Sequence, residues 1–237
     1  MHKGFFITGT DTEVGKTLIS GALITKLRSQ AIKTLGFKPV VAGTYKNAQG
    51  QVCNEDVETL KLASQIQSDE IKLCPYILDT PAAPHLVANE QGLILEMQVM
   101  MQAFHNIQAR SDCIVVEGAG GLIVPLNDDQ DLSEFAKTIH LPVILVVGMK
   151  LGCINHALLS CEAIQARNLK IAGWVANTLS EEMPYLQQNL HTLKNRIAAP
   201  FLGLIPTLPK QLKKPMNSPY SIDALNFAAQ HLQLPQI

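Results

Sequence analysis

Five cysteines in 237 residues, none of them in a C-x-x-C pair, leave no disulfide framework and no zinc-binding spacing to read. The odd set of Cys53, Cys74, Cys113, Cys153 and Cys161 fits a reducing cytosol, so a cytoplasmic location is the expectation; Cys113 and Cys161 sit in apolar patterns and read as small core residues. Charge is not in excess either. A formal net charge of −1 gives no electrostatic reason to expect nucleic acid or an anionic membrane surface as a partner. The one basic cluster, Lys210, Lys213 and Lys214, reads as a solvated loop. No apolar run approaches the roughly 20 residues of a membrane span, the longest being 141–147. No signal peptide is expected, because Phe5-Phe6-Ile7 leads straight into a glycine-bounded loop. Internal repeats, low-complexity segments and dividing linkers are also missing. The length then suits one domain over 1–237, large enough for a core without metals or disulfides.

What is present begins at Gly4-Phe5-Phe6-Ile7-Thr8-Gly9-Thr10-Asp11-Thr12-Glu13-Val14-Gly15-Lys16-Thr17, an apolar strand, a tight loop and a helix start. Backbone N–H groups in such a loop point at phosphate oxygens, and the helix adds the positive end of its dipole. Lys16 reaches the β- and γ-phosphates of a nucleoside triphosphate, and the Thr17 hydroxyl can ligate Mg²⁺. Five residues separate Gly9 from Gly15 where the general pattern has four. A chance match is the alternative, but the required strand before and helix after are both there.

Further along, apolar spacing predicts a helix over 16–28 and a strand over 34–37 that delivers Lys38 and Pro39 at its carboxyl end. Residues 41–54 read as a loop, and a helix begins at Glu55 with Asp56 in its first turn. Asp56 has two readings, a helix-dipole partner worth a few tenths to about 1 kcal/mol or a ligand of the nucleotide's Mg²⁺. Prolines at 75, 81 and 84 predict an irregular connection; His85, at a helix start after it, is given no chemical role. A helix is expected within 93–109, with Leu95, Val99, Phe104 and Ile107 inward and Met97, Met100 and Met101 filling gaps.

Asp112-Cys113-Ile114-Val115-Val116-Glu117-Gly118-Ala119-Gly120-Gly121 reads as a doubly buried strand ending in a carboxylate and glycines. An acid there commonly holds Mg²⁺ directly or through water, the alternative being a solvated acid beside an ordinary turn. A short helix over 132–139 precedes a buried strand over 142–147, which meets a turn at Lys150-Leu151-Gly152-Cys153-Ile154-Asn155 that opens a helix. Free N–H groups there could take an anion, although an ordinary helix cap is the simpler reading. A strand over 171–177 ends in Asn177, a helix covers 183–197, and a last strand covers 201–205. A loop over 206–219 leads to an amphipathic helix capped by Ser221, with Ile222, Leu225 and Leu232 on one face. The expected fold is therefore α/β, a doubly wound, mostly parallel sheet with helices on both faces, of the P-loop NTPase type.

Taken together, the motifs resemble the dethiobiotin synthetase family. The likeness is carried by the loop Gly9 to Thr17, by Lys38-Pro39-Val40, Pro84-His85 and Val116-Glu117-Gly118-Ala119-Gly120-Gly121, and by Lys150-Leu151-Gly152-Cys153-Ile154-Asn155-His156-Ala157 and Gly173-Trp174-Val175-Ala176-Asn177. The longer phosphate loop is the form this family uses. The resemblance implies an ATP- and Mg²⁺-dependent ligase that converts 7,8-diaminononanoate and CO₂ to dethiobiotin with release of ADP and phosphate. Its path runs through a carbamate and a carbamic-phosphoric anhydride. It implies catalytic roles for Lys16 and Lys38, and Mg²⁺ ligation by Thr17, Asp56 and Glu117. Nucleotide contacts fall to Gly9, Thr10, Asp11, Thr12, Glu13, Val14, Gly15, Lys16, Thr17, Glu117, Gly118, Gly120, Asn177 (at adenine) and Pro206. Substrate contacts fall to Thr12, Lys38, Ala42 and, from a neighbouring subunit, the turn Leu151, Gly152, Cys153, Ile154 and Asn155, so a homodimer with shared sites is implied.

Two positions depart from the family pattern. Ala42 stands where a serine is frequent, and 207–211 lack an acid that some members place near the base. The rival reading is a nucleotide-driven switch or partitioning-type ATPase, whose loop carries a signature lysine where this chain has Asp11; a degenerate regulatory nucleotide binder is a further alternative. A cobyrinate-type synthetase would need a glutaminase region for which the chain has no room.

Overall fold

The β-branched runs picked out by the sequence pair with one another because each is apolar on both faces and must be covered twice. The structure is a computed structural model that describes residues 4–67, 71–180 and 183–235. In chain order its strands are β1 (Gly4–Gly9), β2 (Thr34–Phe37), β3 (Val40–Ala42), β4 (Tyr45–Lys46), β5 (Val52–Cys53), β6 (Tyr76–Leu78), β7 (Cys113–Glu117), β8 (Val143–Met149), β9 (Ile171–Thr178) and β10 (Phe201–Ile205). Its helices are α1 (Lys16–Ser29), α2 (Glu55–Ser64), α3 (Pro84–Glu90), α4 (Met97–Gln108), α5 (Leu132–Thr138), α6 (Cys153–Ala166), α7 (Leu186–Arg196) and α8 (Ile222–Gln230).

Six strands form the central sheet in the order β10-β9-β8-β1-β7-β2, with every neighbouring pair parallel. The chain leaves β1 toward β2 on one side and later crosses to β8 on the other. This reversal puts a crevice at the carboxyl end of β1, where the phosphate loop lies. Right-handed crossovers place α1 on one face and α4 to α7 on the other; α2 and α8 pack with α1.

Three local expectations are corrected. Residues 41–54 are not a plain loop: β3 pairs parallel with β6, Val40 opposite Tyr76 and Ala42 opposite Leu78, and β4 and β5 make a small hairpin. The 75–84 connection accordingly contains a strand, because its prolines flank residues 76–78 rather than interrupt them. Inward positions also differ, since Val99 is 38% and Ile222 40% exposed. Several helix ends shift as well. The expected 93–109 helix starts at Met97, and the expected 183–197 helix starts at Leu186, after Pro184 and a left-handed Tyr185. Ser221 caps α8 as expected, its hydroxyl accepting the Ala224 N–H.

The core between the sheet and its second face holds Phe37, Phe104 and Phe135. Phe104 stands edge-on to both of the others, with ring centroids 6.0 and 6.2 Å away. Such pairs add about 0.5–1.5 kcal/mol to the burial of their area. Phe104→Ala is expected to cost about 3–5 kcal/mol, read as a lower urea midpoint at unchanged slope; a loss under 1 kcal/mol would contradict this account of the core.

Candidate active site

The phosphate loop is shaped by two residues with positive φ, Glu13 at 59° and Gly15 at 89°. Glycine is required at the second, because a Cβ there would lie 2.1 Å from the Asn177 side-chain amide. That amide, buried in β9, donates to the Val14 carbonyl at 2.9 Å, so the far strand holds the loop's end. The Thr10 N–H donates to the Val146 carbonyl at 3.0 Å and fixes the loop's start. Thr12 and Glu13 stand exposed between these anchors. Helix α1 starts without a side-chain cap, so its first N–H groups open into the loop. Lys16, largely buried, turns its ammonium back to donate to the Asp11 carbonyl at 2.9 Å.

Beside the loop lies a buried polar knot built by four elements. Lys38, just past β2, is 2.6 Å from Asp56 Oδ2 in the first turn of α2 and 2.6 Å from Glu117 Oε1 at the end of β7. The Thr17 hydroxyl of α1 is 2.6 Å from Asp56 Oδ1 and 2.8 Å from Glu117 Oε1. Sheet register makes this possible, since Phe37 pairs with Val116 and the next residue of each strand is then Lys38 and Glu117. Glu117 is fully buried, which removes the solvated reading. Its other oxygen, Oε2, is buried and has no hydrogen-bond partner among the described residues. Asp56 stands in the first turn of α2, where the helix-dipole reading puts it, and its carboxylate also joins this knot.

Environment separates the charges. Burial pulls Lys16 down to about 8, with the neighbouring Lys38 ammonium adding to the effect. Burial alone would lower Lys38 too, but the Asp56 and Glu117 carboxylates outweigh it and hold the ammonium above its ordinary value. Burial pushes the Glu117 carboxyl up despite Lys38. Asp56 is also disfavoured by burial, yet Lys38 carries it below the usual carboxylate range.

The remaining positions fall around this centre to different degrees. The Gly118 N–H donates to the Ile7 carbonyl at 2.9 Å, and Gly120 (φ 57°) has Thr12 Oγ1 as a near neighbour, so the second glycine turn backs the first. Pro206 follows β10 at the same sheet edge. Ala42 ends β3, and the carbonyl of the adjacent Gly43 accepts the Asn54 side-chain amide at 2.7 Å. The turn before α6 has Leu151 fully exposed, Gly152 in the left-handed region at φ 93° and no side-chain cap. It stands at the end of β8, outside the Lys38 knot.

Two contacts were not anticipated. Asp11 Oδ2 lies 2.6 Å from Lys150 Nζ, and this hydrogen bond is the main reason its carboxyl is lowered. The two are 139 positions apart, so no sequence spacing joins the pair. Asn54 caps α2 by accepting the N–H groups of Asp56 and Val57, a signal that its place just before Glu55-Asp56 could have given.

A family model described as an AAA domain matches residues 3–215. The chain is 46% identical over 205 residues to the ATP-dependent dethiobiotin synthetase BioD of Ralstonia nicotianae, covering 86% of this chain and 89% of that one. It is 46% identical over 204 residues to the protein of the same name from Aromatoleum aromaticum, covering 86% and 90%. Among solved structures it resembles a ParA family ATPase from Chlorobium tepidum, with a TM-score of 0.56, 14% identity and coverage of 98% and 100%. The Pyrococcus furiosus cell division ATPase MinD gives a TM-score of 0.55 at 14% identity, covering 97% and 98%. At that identity the structural likeness speaks to the fold alone.

The lowered Lys16 sets a testable opposition between stability and binding. The unfolded chain keeps this proton up to the ordinary 10.5 and the folded chain only to about 8. Between these values the unfolded state holds more protons, so through this residue stability rises with pH, and below pH 8 the folded protein bears the whole penalty. Lys16→Met is expected to stabilise the nucleotide-free protein at pH 7 by about 1–3 kcal/mol, fading toward pH 10.5, while ATP affinity falls about 100-fold. A variant less stable than wild type at pH 7 in chemical unfolding would refute this.

Proposed function

The chain belongs to the ATP-dependent dethiobiotin synthetase family, and from that premise we propose how its own residues divide the work. It is an ATP-dependent ligase of biotin biosynthesis that carboxylates 7,8-diaminononanoate and closes the cyclic urea. In our reading a carbamate forms on one amine, one of its oxygens attacks the γ-phosphorus as ADP leaves, and the second amine then attacks the carbamoyl carbon and expels phosphate. Little covalent chemistry is asked of the protein. Positioning, and positive charge around the moving phosphoryl group, carry the rate.

The loop from Gly9 to Thr17 supplies N–H groups to the phosphates, and Lys16 exchanges the Asp11 carbonyl for phosphate oxygen. Lys38 stays an ammonium, because two carboxylates hold it so, and it stabilises the carbamate and the transferring group. Asn177 and Pro206 border the base. Gly118 and Gly120 line the second turn, and Thr12 and Ala42 face the diamine, with Thr44 the nearest hydroxyl in sequence to replace the family's serine. The observation that supports this reading best is the convergence of Thr17, Asp56 and Glu117 on Lys38 beside the phosphate loop.

Those three oxygen donors suit Mg²⁺, and the unpartnered, buried Oε2 of Glu117 is an acceptor that a hard cation or its water would satisfy. Thr17, Asp56 and Glu117 would hold the ion, which when bound offsets phosphate charge. We further propose a homodimer in which the 151–155 turn, with its exposed Leu151 and uncapped helix start, reaches the partner's site and receives the distant carboxylate of the diamine. Charge and cysteine usage support the cytoplasm, and among the described residues no helix is long and apolar enough to cross a membrane. The switch reading gains nothing from Asp11, which pairs with Lys150 of its own chain.

With purified protein, MgATP, the diamine and ¹³C-bicarbonate, mass spectrometry should find dethiobiotin carrying one labelled carbon, absent without ATP and lost in Lys16→Ala. ATP turnover without labelled product would refute the assignment. For shared sites, two inactive variants, Lys16→Ala and a bulky change at Gly152, should complement when mixed. Random exchange gives one intact site in each heterodimer, about a quarter of wild-type activity; no recovery after subunit exchange would remove the shared-site proposal.

A further inference from the structure

The segment after β10 has a task that neither the phosphate loop nor the Lys38 knot accounts for. It leaves the sheet at Pro206, at the carboxyl end of the outermost strand on one side, passes a 3₁₀ turn at Lys210–Leu212, and reaches α2 on the other side. There Lys214 forms an ion pair with Glu55, and the Asn217 N–H donates to the second oxygen of the same carboxylate at 2.8 Å. The Tyr220 N–H then donates to Thr59 Oγ1 at 3.1 Å, one helical turn further along α2. The Lys214 ammonium also lies 5.7 Å from the centroid of the Tyr220 ring. Both oxygens of Glu55 are thus taken by one short stretch of tail.

Length limits the route. Neighbouring strands lie about 4.8 Å apart, so five spacings from β10 to β2 come to roughly 24 Å, and nine residues span at most about 30 Å. Both ends of the segment sit at the carboxyl edge of the sheet. It therefore crosses that edge with little slack, as a strap over the side on which the phosphate loop opens. Its first end neighbours Asn177 and Pro206, and its second is fastened to the residue next to Asp56. Asp56 in turn touches Thr17 and Lys38. Fixing Glu55 fixes the first turn of α2, and with it the direction in which the Asp56 carboxylate points.

We propose that the 206–220 strap, through Lys214 and the Asn217 N–H on Glu55, sets the posture of Asp56, making Glu55 and Lys214 positioning residues for the cation end of the nucleotide site. The inference rests on the reading of Asp56 as a Mg²⁺ ligand. It also gives the basic cluster of the tail a use, since a lysine that looked merely solvated is one of the two anchors.

The test is ATP binding by titration calorimetry, with and without Mg²⁺, on wild type, Lys214→Met, Lys214→Arg and Asp56→Asn. Lys214 and Glu55 are both partly exposed, so the variants should fold, and a thermal melt checks this. The expected result is that the gain in ATP affinity conferred by Mg²⁺ shrinks about fivefold in Lys214→Met, returns in Lys214→Arg and is lost in Asp56→Asn, while affinity in chelator is unchanged for both Lys214 variants. A merely structural strap would lower the melting temperature and leave the Mg²⁺ gain at its wild-type value in Lys214→Met while Asp56→Asn lost it, which would overturn the proposal. Asp56→Asn keeping the full gain would instead overturn the reading of Asp56 beneath it, and the proposal with it.

Discussion

A buried ammonium between two carboxylates is the constraint on which the rest of this molecule depends. Taking Lys38 out of water would cost several kcal/mol if it stood alone; it is tolerable because Asp56 and Glu117 each come within 2.6 Å. These three residues and Thr17 come from the end of β2, α2, β7 and α1, so four elements must be in register before the whole set is assembled. The parallel pairing of β2 with β7 does the first part, bringing Lys38 and Glu117 to adjacent strand ends. The Asn54 cap does the second, starting α2 where Asp56 can turn inward. Removing Lys38 would strand two buried carboxylates, so the knot specifies the geometry more than it adds stability.

Around that rigid centre the loop is arranged at the expense of stability. Lys16 is buried, and among the described residues its ammonium donates to the Asp11 carbonyl and pairs with no carboxylate. Glu13 takes a left-handed conformation that a glycine would adopt more easily. A protein selected only to fold would have neither feature. Both are understandable if incoming phosphate is to find a cation and a set of N–H groups already in place, with little reorganisation left for the moment of reaction. Thr12, in the exposed part of the loop, is backed by the turn at Gly120.

Sequence alone carried the strands of the central sheet well, because residues such as Ile114 to Val116 and Val143 to Val147 are apolar on both faces and admit few alternatives. It carried the phosphate loop through glycine spacing. It did not carry β3 and β6, three residues each, whose pairing joins segments more than thirty residues apart and leaves no periodic trace. Asp56 could not be resolved from its position in the chain, since a first-turn carboxylate looks the same whether it serves the helix dipole or a Mg²⁺ ion. The structure puts this carboxylate in the first turn of α2 and, at the same time, against Lys38 and Thr17. Contacts such as Asp11 with Lys150, or Glu55 with Lys214, join residues 139 and 159 apart and exist only through the fold.

The chemistry of the donor set also bears on the order of events. Among the described residues no group of three or more histidine, cysteine, aspartate or glutamate side chains stands ready to cage a metal. Two carboxylates and a hydroxyl form an incomplete shell, and one carboxylate oxygen of Glu117 is buried without a partner. Mg²⁺ sheds water reluctantly and is usually held by one or two carboxylates together with substrate phosphates rather than by protein alone. In the reading proposed above, the ion therefore comes with ATP and not before it. Until then Lys38 occupies the carboxylates that would receive the ion and keeps their charges from repelling each other. In that reading the ammonium that stabilises the carbamate is the same group that compensates the buried carboxylates of the fold, so a single lysine joins the stability of this sheet edge to its chemistry.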